Sequence, residues 1–216
     1  MPSETQRRAA ALASTFLGGW LRLTRREALI GAGAGLGAAA IRLPGDTVSA
    51  QPREAAISFA DKVDVSFTIN GRRLEATADP RVSLLDHLRE SQSLFGTKKS
   101  CDHGQCGACT VHIDGQRIAA CLTPVVQCAG RSVETIESLE HDGTLHPMQQ
   151  AFIAHDALQC GYCTPGQIMA AIACVRGGHA SSRDDIREYM SGNLCRCGAY
   201  ENIVDAIVDA RDKMEV

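Results

Sequence analysis

The 216-residue chain is poor in aromatic residues, which make up 4% of it, and it carries little net charge. Its formal net charge is −3, and residues 1–50 contain six Arg, no Lys and three acidic residues, so without them the net charge falls to −6. No basic stripe interleaved with aromatic residues occurs along the sequence. Because nucleic-acid-binding proteins depend on such positive surfaces, a nucleic acid is not expected as a partner.

The sequence also lacks an apolar run near its start that is long enough to span a membrane. Ala28–Ile41 is uncharged but has only fourteen residues, four of them Gly, whereas a spanning helix needs about 20 apolar residues. Arg25–Arg26 precede this segment, and Val48–Ala50 offers the small residues that a signal peptidase reads. The pattern predicts a Tat signal peptide over residues 1–50 and a flexible lead-in over 51–60. A membrane anchor or a disordered tail is the alternative.

A Tat signal predicts export of the folded protein to the periplasm, with no stable membrane anchor after cleavage of the signal. Export in the folded state suits a protein that must acquire its metal centres inside the cell, where the assembly machinery is.

Cysteine, by contrast, is abundant, and eight of the ten cysteines form two spaced groups of four. The first group consists of Cys101, Cys106, Cys109 and Cys121. Its C-x4-C-x2-C spacing is typical of a plant-type [2Fe–2S] ferredoxin loop. Gly104 and Gly107 allow the main chain to wrap around a cluster and to direct N–H groups at its sulfur atoms. Disulfides or zinc are the alternatives, but a Gly-rich loop suits wrapping better than cross-linking, and zinc sites usually show paired CxxC motifs.

The second group consists of Cys160, Cys163, Cys195 and Cys197, spaced C-x2-C-x31-C-x-C. The last two can reach one metal centre only from a non-helical turn, which Gly198 supplies. Helices are predicted to begin near these pairs, and the partial positive charge of a helix N-terminus favours bound thiolates. Zinc remains an open alternative for this group. The two remaining cysteines, Cys128 and Cys174, are predicted to be buried structural thiols.

Two histidines lie near the first group but are not predicted to be ligands. His103 is expected to be a loop residue beside the cluster, and His112 is expected on the face of a strand. A Rieske-type site would need a Cys-x-His pattern twice, and the sequence contains it only once, at Cys101–His103.

The residues around the first group predict a small sheet. Val63–Thr68 alternates apolar and polar residues, Asn70–Gly71 is a strong hairpin signal, and Arg72–Ala78 returns as the partner strand. A short helix is predicted over Leu84–Glu90. Because a hairpin, a helix and a cysteine loop follow one another, we expect a β-grasp ferredoxin domain over residues 61–138. Its further strands are predicted at Thr110–Ile113, Gln116–Ala120 and Ser132–Ile136.

After a polar linker at residues 139–144, the periodicity of the sequence becomes helical, which gives the α+β class. Four short helices are predicted over residues 145–216. The first is Pro147–Ala157, and the second begins with Thr164 as N-cap and ends at Gly177. The third is capped by Ser182 and runs to Met190, and the fourth is Ile203–Met214. The cysteine pairs of the second group therefore lie at two turns between helices.

Seven of these eight cysteines lie in three longer motifs, Gly96–His112, Gln159–Gln167 and Ser191–Tyr200, and a fourth motif, Leu145–Met148, lies between the two groups. Over residues 62–210 the chain resembles the small iron–sulfur subunit of the xanthine oxidase family of molybdenum hydroxylases, and all eight ligand cysteines match. With the Tat signal included, it most closely resembles the iron–sulfur subunits of periplasmic aldehyde oxidoreductases.

The resemblance implies a β-grasp [2Fe–2S] domain followed by a four-helix-bundle [2Fe–2S] domain. It implies that the second cluster lies nearer a molybdenum cofactor, with Gln159 and Cys197 approaching the pterin. The first cluster would pass electrons towards an FAD-binding medium subunit. The catalytic residues and the molybdopterin would belong to a large partner subunit, since this chain has no Rossmann glycine fingerprint and no further domain that could hold molybdopterin or FAD.

The resulting hypothesis is electron transfer within a heteromeric molybdenum-dependent aldehyde oxidoreductase, with no catalytic residue in this chain. One alternative is a subunit of an N-heterocycle hydroxylase or another molybdenum dehydrogenase with a cytochrome acceptor. A second alternative is a zinc- or disulfide-stabilised binding module that catalyses nothing.

Overall fold

The structure, a computed structural model, describes residues 62–214. The predicted signal peptide over residues 1–50 and the lead-in over 51–60 lie outside these residues. Within residues 62–214, no helix is both long enough and apolar enough to cross a membrane.

The fold begins with the predicted hairpin. Strand β1 (Val63–Ile69) pairs antiparallel with β2 (Arg72–Ala78), and the register runs from Val63 opposite Ala78 to Ile69 opposite Arg72. Asn70 and Gly71 form the turn with φ angles of 49° and 76°. A two-residue turn with both φ angles positive matches the twist of the flanking strands, which explains why the Asn-Gly signal placed the hairpin correctly.

Three further strands complete a five-stranded sheet: β3 (Thr110–Ile113), β4 (Gln116–Ala119) and β5 (Ser132–Glu134). The strand order is β2-β1-β5-β3-β4, in which β1 and β5 are parallel and the other pairs are antiparallel. The prediction that β5 extends to Ile136 is wrong. The side-chain oxygen of Asn70 accepts a hydrogen bond from the Thr135 N–H at 2.9 Å, and the chain then turns into a short 3-10 helix, Ile136–Ser138.

Helix α1 covers one face of the sheet. It begins as an α-helical turn (Leu84–Asp86) and continues as a wider π-helical turn (His87–Ser91), so the predicted regular helix is only partly correct. Ser83 caps its start, since its hydroxyl oxygen accepts the Asp86 N–H at 3.0 Å. The sheet core is built from this helix and the inner face of the strands. Its fully buried residues include Leu84, Leu85, Leu88, Val111 and Ile113.

Four helices form the C-terminal part, in agreement with the predicted number: α2 (Pro147–Ala154), α3 (Thr164–Arg176), α4 (Arg183–Met190) and α5 (Tyr200–Arg211). Helix α2 stops three residues before the predicted Ala157, because Asp156 adopts a left-handed conformation with φ of 48°. Ser182 caps α4 as predicted, with its side chain accepting the Asp185 N–H.

Two helix boundaries differ from those expected. Cys163, not Thr164, is the N-cap of α3, and the Thr164 hydroxyl is buried without a hydrogen-bond partner in the described part of the chain. Helix α5 starts and ends three residues before the predicted range Ile203–Met214. Its apolar face begins only at Ile203, in the second half of its first turn, so periodicity alone misplaces the start.

The helices share a second core, and the two cores meet across α3. The helical core includes Met148, Phe152, Ile172, Ile186 and Ile207, all at most 1% exposed. Helix α3 packs against β3, where His112 is fully buried. Its Nε2 donates a hydrogen bond to the carbonyl oxygen of Met169 at 2.8 Å. The mixed α/β architecture is therefore one connected body in which α3 joins the sheet region (Val63–Glu134) to the helical region (Pro147–Arg211).

Candidate iron–sulfur sites

The first tetrad (Cys101, Cys106, Cys109 and Cys121) lies at one end of the sheet. The loop before β3 carries three of the cysteines, and a short 3-10 helix after β4 (Ala120–Leu122) carries Cys121. Asp102, Gly104 and Gly107 all have positive φ angles, of 61°, 79° and 69°, which fold the loop back on itself. Within the tetrad, Cys101 lies beside Cys106, and Cys109 lies beside Cys121.

Backbone N–H groups converge on the outer sulfur of this tetrad. The His103 N–H donates to the Cys101 sulfur and lowers its pKa to about 6, with help from the Cys106 thiol and the Cys106 and Gln105 N–H groups. Burial instead raises the pKa of Cys109 to about 12. One end of the tetrad therefore favours an anion, and the other would need a positively charged metal to ionise its thiol.

The second tetrad (Cys160, Cys163, Cys195 and Cys197) joins two turns that are far apart in sequence. Cys160 and Cys163 lie in the turn before α3, and Cys195 and Cys197 lie in the turn before α5. Cys160 lies beside Cys197, and Cys163 lies beside Cys195. The packing of helices α3 and α5 in one core thus brings together what the sequence separates by 31 residues.

The electrostatics of the second tetrad resemble those of the first. The pKa of Cys160 is lowered most by a hydrogen bond from the Tyr162 N–H, and the Cys197 thiol adds to this effect. Burial opposes ionisation of Cys195. Its pKa is nevertheless lowered, because the Ala199 N–H, other backbone N–H groups and the Cys163 thiol stabilise the thiolate. Burial raises the pKa of Cys163 to about 12. The predicted placement of the cysteines beside helix N-termini is confirmed for both turns, and these backbone donors are the groups that stabilise a bound thiolate.

The donor sets fit [2Fe–2S] clusters. All ten cysteines are free thiols. Within residues 62–214, no group of three or more His, Cys, Asp or Glu side chains is arranged around a single metal position. Each tetrad supplies four thiols, which is the number that a [2Fe–2S] cluster needs. Cys101, Cys106, Cys109 and Cys121 would hold the first cluster, and Cys160, Cys163, Cys195 and Cys197 the second.

The two cysteine loops touch each other. The Leu194 N–H, next to Cys195, donates to the carbonyl oxygen of Cys106 at 2.9 Å. The Tyr162 hydroxyl donates to the carbonyl oxygen of Lys99, two residues before Cys101. The Tyr200 hydroxyl accepts the N–H of Cys195 at 3.0 Å. Tyr162, Tyr200 and the buried Asn193 were not singled out from the sequence, although all three lie inside the motifs that enclose the cysteines.

The second tetrad is the more exposed of the two. Cys160 and Cys197 are exposed, as is the neighbouring Gln159, whereas every cysteine of the first tetrad is buried or half-buried. Large apolar or aromatic side chains are also exposed in this neighbourhood of the chain: Leu158, Tyr162, Leu194 and Tyr200. A surface of this composition is typical of a contact with another protein.

The remaining sulfur and imidazole groups take no part in the tetrads. Cys128 and Cys174 are fully buried, and burial raises the pKa of both thiols, that of Cys174 to about 11. His103 is an exposed loop residue whose ring contacts the Cys101 carbonyl. His112 lies on β3, as expected, but faces the helical region and not solvent.

Comparisons with known proteins identify two iron–sulfur domains, and each matched range contains one tetrad. A 2Fe-2S iron-sulfur cluster binding domain matches residues 67–126, and a [2Fe-2S] binding domain matches residues 135–208. The aldehyde oxidoreductase iron-sulfur-binding subunit of Escherichia coli K12 is 44% identical over 210 residues, covering 90% of this chain and 91% of the relative. The nicotine 6-hydroxylase small subunit of Paenarthrobacter nicotinovorans is 46% identical over 153 residues, covering 71% of this chain and 92% of the relative.

Solved structures extend the similarity to the fold. Quinoline 2-oxidoreductase from Pseudomonas putida 86 contains a chain that is 45% identical, with a TM-score of 0.69; the match covers 73% of this chain and all of that one. The aldehyde oxidoreductase from Desulfovibrio desulfuricans is 38% identical with a TM-score of 0.66, over 69% of this chain and 17% of the larger protein. The chain therefore belongs to the small iron–sulfur subunits of the xanthine oxidase family of molybdenum hydroxylases and carries two [2Fe–2S]-binding domains.

Proposed function

We propose that this chain is the electron-transfer subunit of a heteromeric molybdenum-dependent aldehyde oxidoreductase. When bound, its two [2Fe–2S] clusters would carry single electrons from the molybdenum cofactor of a large catalytic subunit towards an FAD-binding medium subunit. The observation that supports this most directly is the exposure of Cys160 and Cys197 beside Gln159. Ligand cysteines at a surface, flanked by exposed apolar side chains, suit contact with a cofactor held by another subunit.

The chain's own residues prepare these sites. Backbone N–H groups aimed at Cys101, Cys160 and Cys195 stabilise thiolate charge without reorganisation. Cys109 is buried and Cys163 is half-buried, and burial raises the pKa of both thiols. Cys197 has two roles in this proposal, since it ligates iron and, with Gln159, approaches the pterin of the partner subunit.

The proposal includes the finer description of the two domains. The strand order β2-β1-β5-β3-β4 with α1 packed across the sheet supports a β-grasp, plant-type ferredoxin domain. The single core shared by α2 to α5 supports a four-helix bundle that holds the second cluster.

An aldehyde is proposed as the substrate because the alignment with an aldehyde oxidoreductase subunit covers more of this chain than the alignment with a hydroxylase subunit does. The alignment with the Escherichia coli aldehyde oxidoreductase subunit covers 90% of this chain, so it reaches into the residues that precede Lys62. The alignment with the nicotine 6-hydroxylase subunit covers 71%. A shared N-terminal segment also supports the proposal that residues 1–50 are a Tat signal and that the mature complex is periplasmic.

A second candidate function is electron transfer within a hydroxylase of N-heterocycles. The names of two similar proteins, nicotine 6-hydroxylase and quinoline 2-oxidoreductase, favour it. In that case the electron acceptor could be a cytochrome in place of a flavin subunit.

One experiment separates these functions. The protein is expressed with its natural neighbours, purified from the periplasmic fraction, and assayed against a panel of aldehydes and N-heterocycles. We expect a large molybdenum subunit and an FAD subunit to co-purify with it and the complex to oxidise aldehydes. Turnover of N-heterocycles alone would favour the second candidate, and purification without a molybdenum subunit would contradict both.

A further inference from the structure

We propose that Asn193 is a positioning residue that fixes the separation between the two tetrads. Its side chain joins the first-tetrad loop to the start of helix α3, while its backbone belongs to the turn that carries Cys195. This inference deepens the proposed electron-transfer function and rests on it. Asn193 is only 5% exposed, although it lies in a turn between exposed neighbours.

The side-chain NH2 group of Asn193 lies within hydrogen-bonding distance of three acceptors, so one of its two N–H bonds is shared between two of them. Its Nδ2 donates to the carbonyl oxygen of Gly107 at 3.0 Å, to that of Gly166 at 3.1 Å and to the Thr110 hydroxyl oxygen at 3.2 Å. The Thr110 hydroxyl donates a hydrogen bond to the Gly107 carbonyl oxygen at 2.7 Å, so towards Asn193 its oxygen can only accept. Because all three neighbours accept, the amide can only point its NH2 group towards them.

The backbone of the same turn is held independently. The Asn193 N–H donates to the Met190 carbonyl oxygen at 2.9 Å. The Asn193 carbonyl oxygen accepts a hydrogen bond from Nε2 of Gln167 at 2.7 Å, and Gln167 is 1% exposed. The next residue, Leu194, donates its N–H to Cys106. Hydrogen bonds from α3 and α4 therefore fix the position of Asn193. Because Leu194 is the next residue, they also fix the contact between the two cysteine loops.

The approach of the two loops is as close as backbone atoms allow. A Cβ added to Gly107 would lie 2.6 Å from Nδ2 of Asn193 and 2.8 Å from the Gly192 carbonyl oxygen. A Cβ added to Gly166 would lie 2.3 Å from the Gly107 carbonyl oxygen. Neither glycine can carry a Cβ without displacing the neighbouring segment, so the Asn193 amide lies in a closely packed contact.

The consequence concerns Cys106 and Cys195, which belong to different tetrads. Cys106 precedes Gly107, and Cys195 follows Asn193 by two residues. The rate of electron transfer falls steeply with the separation of two centres. By holding these backbones together, the Asn193 side chain fixes the distance between the tetrads and with it the rate of electron transfer between them. It does so without contacting a ligand sulfur.

The test uses the purified holo-complex carrying Asn193→Ala, with Asn70→Ala as the matched control. Asn70 is also a side-chain amide with two hydrogen bonds, to the hydroxyl and the N–H of Thr135, but it lies in the β1–β2 turn. Three quantities are measured: iron and acid-labile sulfide content, the spin–spin splitting between the two reduced clusters by electron paramagnetic resonance, and hydrogen exchange of the peptide 191–196.

In Asn193→Ala we expect unchanged iron and sulfide, a reduced splitting, and exchange of the Leu194 amide that is faster by roughly tenfold or more, since the loss of a buried multi-acceptor donor destabilises the local contact. Asn70→Ala should lower the overall stability and leave the splitting and the exchange of this peptide unchanged. Unchanged splitting and exchange in Asn193→Ala would overturn the proposal. Loss of either cluster would also overturn it, because Asn193 would then be needed to keep the cluster bound and not to set the distance between the clusters.

A second variant protects the test against a failure of Asn193→Ala to assemble. Gly166→Ala inserts a methyl group at the same contact and leaves the Asn193 amide in place. It should change the splitting in the same direction, and an unchanged splitting would contradict the proposal. The exchange measurement does not depend on bound clusters, so it tests the role of Asn193 even if metal analysis overturns the proposed function.

Discussion

The two tetrads present the same donor set, but they are built in different ways. The first tetrad comes from one loop and the short 3-10 helix after the next hairpin, within 21 residues of sequence. The second tetrad joins turns separated by a whole helix pair, and it exists only because α3 and α5 share a core. A local loop encodes the first site, whereas tertiary packing creates the second.

The tetrads also differ in what surrounds them. The sheet region shields the first tetrad, and none of its cysteines is exposed. The second tetrad presents Cys160 and Cys197 at the surface. In the proposed function, this difference sets the direction of electron transfer, because a partner's cofactor would approach the exposed second tetrad.

The largest expected effect comes from removing one ligand of each tetrad in turn. In Cys197→Ser we expect the complex to assemble but substrate no longer to reduce the first tetrad's cluster, because the exposed ligand on the partner side is lost. In Cys121→Ser we expect substrate still to reduce the second tetrad's cluster, although electrons no longer reach the acceptor. Anaerobic bleaching of the visible absorbance by substrate measures both.

Cys128→Ser is the control for these variants, since Cys128 is a buried thiol outside both tetrads. Normal turnover of Cys197→Ser with the physiological acceptor would contradict the proposed direction of transfer.

The next effect compares the two cores. Leu85→Ala in the sheet core and Ile172→Ala in the helical core each remove a fully buried side chain, and each should cost about 2–5 kcal/mol of unfolding free energy. Because α3 packs against β3, we expect both variants to shift one common transition in denaturant. A variant that splits the transition in two would show that the regions unfold independently.

A smaller effect should follow from weakening the contact between the regions. The guanidinium of Arg117 on β4 lies 3.8 Å from the centre of the Tyr189 ring and donates to the Tyr189 carbonyl oxygen at 2.8 Å. Arg117→Lys keeps the charge but loses the planar stacking, and should cost about 1 kcal/mol. Chemical denaturation measures the loss, and Arg72→Lys on the exposed hairpin serves as a control with no expected change. An equal loss in both variants would rule out a specific contribution from this contact.

The smallest expected effect is a dependence of stability on pH through His112. Burial lowers the pKa of His112 below its usual 6.5, although the Met169 carbonyl and Glu134 oppose the shift and Arg176 adds to it. The unfolded chain takes up this proton near pH 6.5, whereas the folded chain does so only at a lower pH. The stabilisation is therefore complete above pH 6.5 and is lost as the pH falls towards the lowered pKa.

His112→Gln keeps a donor for the Met169 carbonyl but cannot titrate, so its stability should fall less between pH 7 and pH 5 than that of the unchanged chain. Because burial also lowers the pKa of His87 and His146, both variant and parent should retain some loss. Parallel curves for the two proteins would exclude His112 as a contributor.

The sequence predicts the local features of this molecule better than the tertiary ones. The Asn70–Gly71 turn and strands β1 to β3 follow from local patterns, and the spacing of the cysteines predicts both ligand sets. Periodicity misplaces the start of α5, because the apolar face begins after the helix does. The burial of His112 depends on the packing of α3 against β3, which no local pattern encodes. The hydrogen bonds of Asn193 arise in the same way, from segments 27 and 86 residues away.

Metal analysis of the purified protein, combined with electron paramagnetic resonance, tests the central claim most directly. We predict about four irons and four acid-labile sulfides per chain and two distinct signals on reduction, since each tetrad should hold one [2Fe–2S] cluster. Zinc in place of iron, with no visible absorbance, would contradict the account.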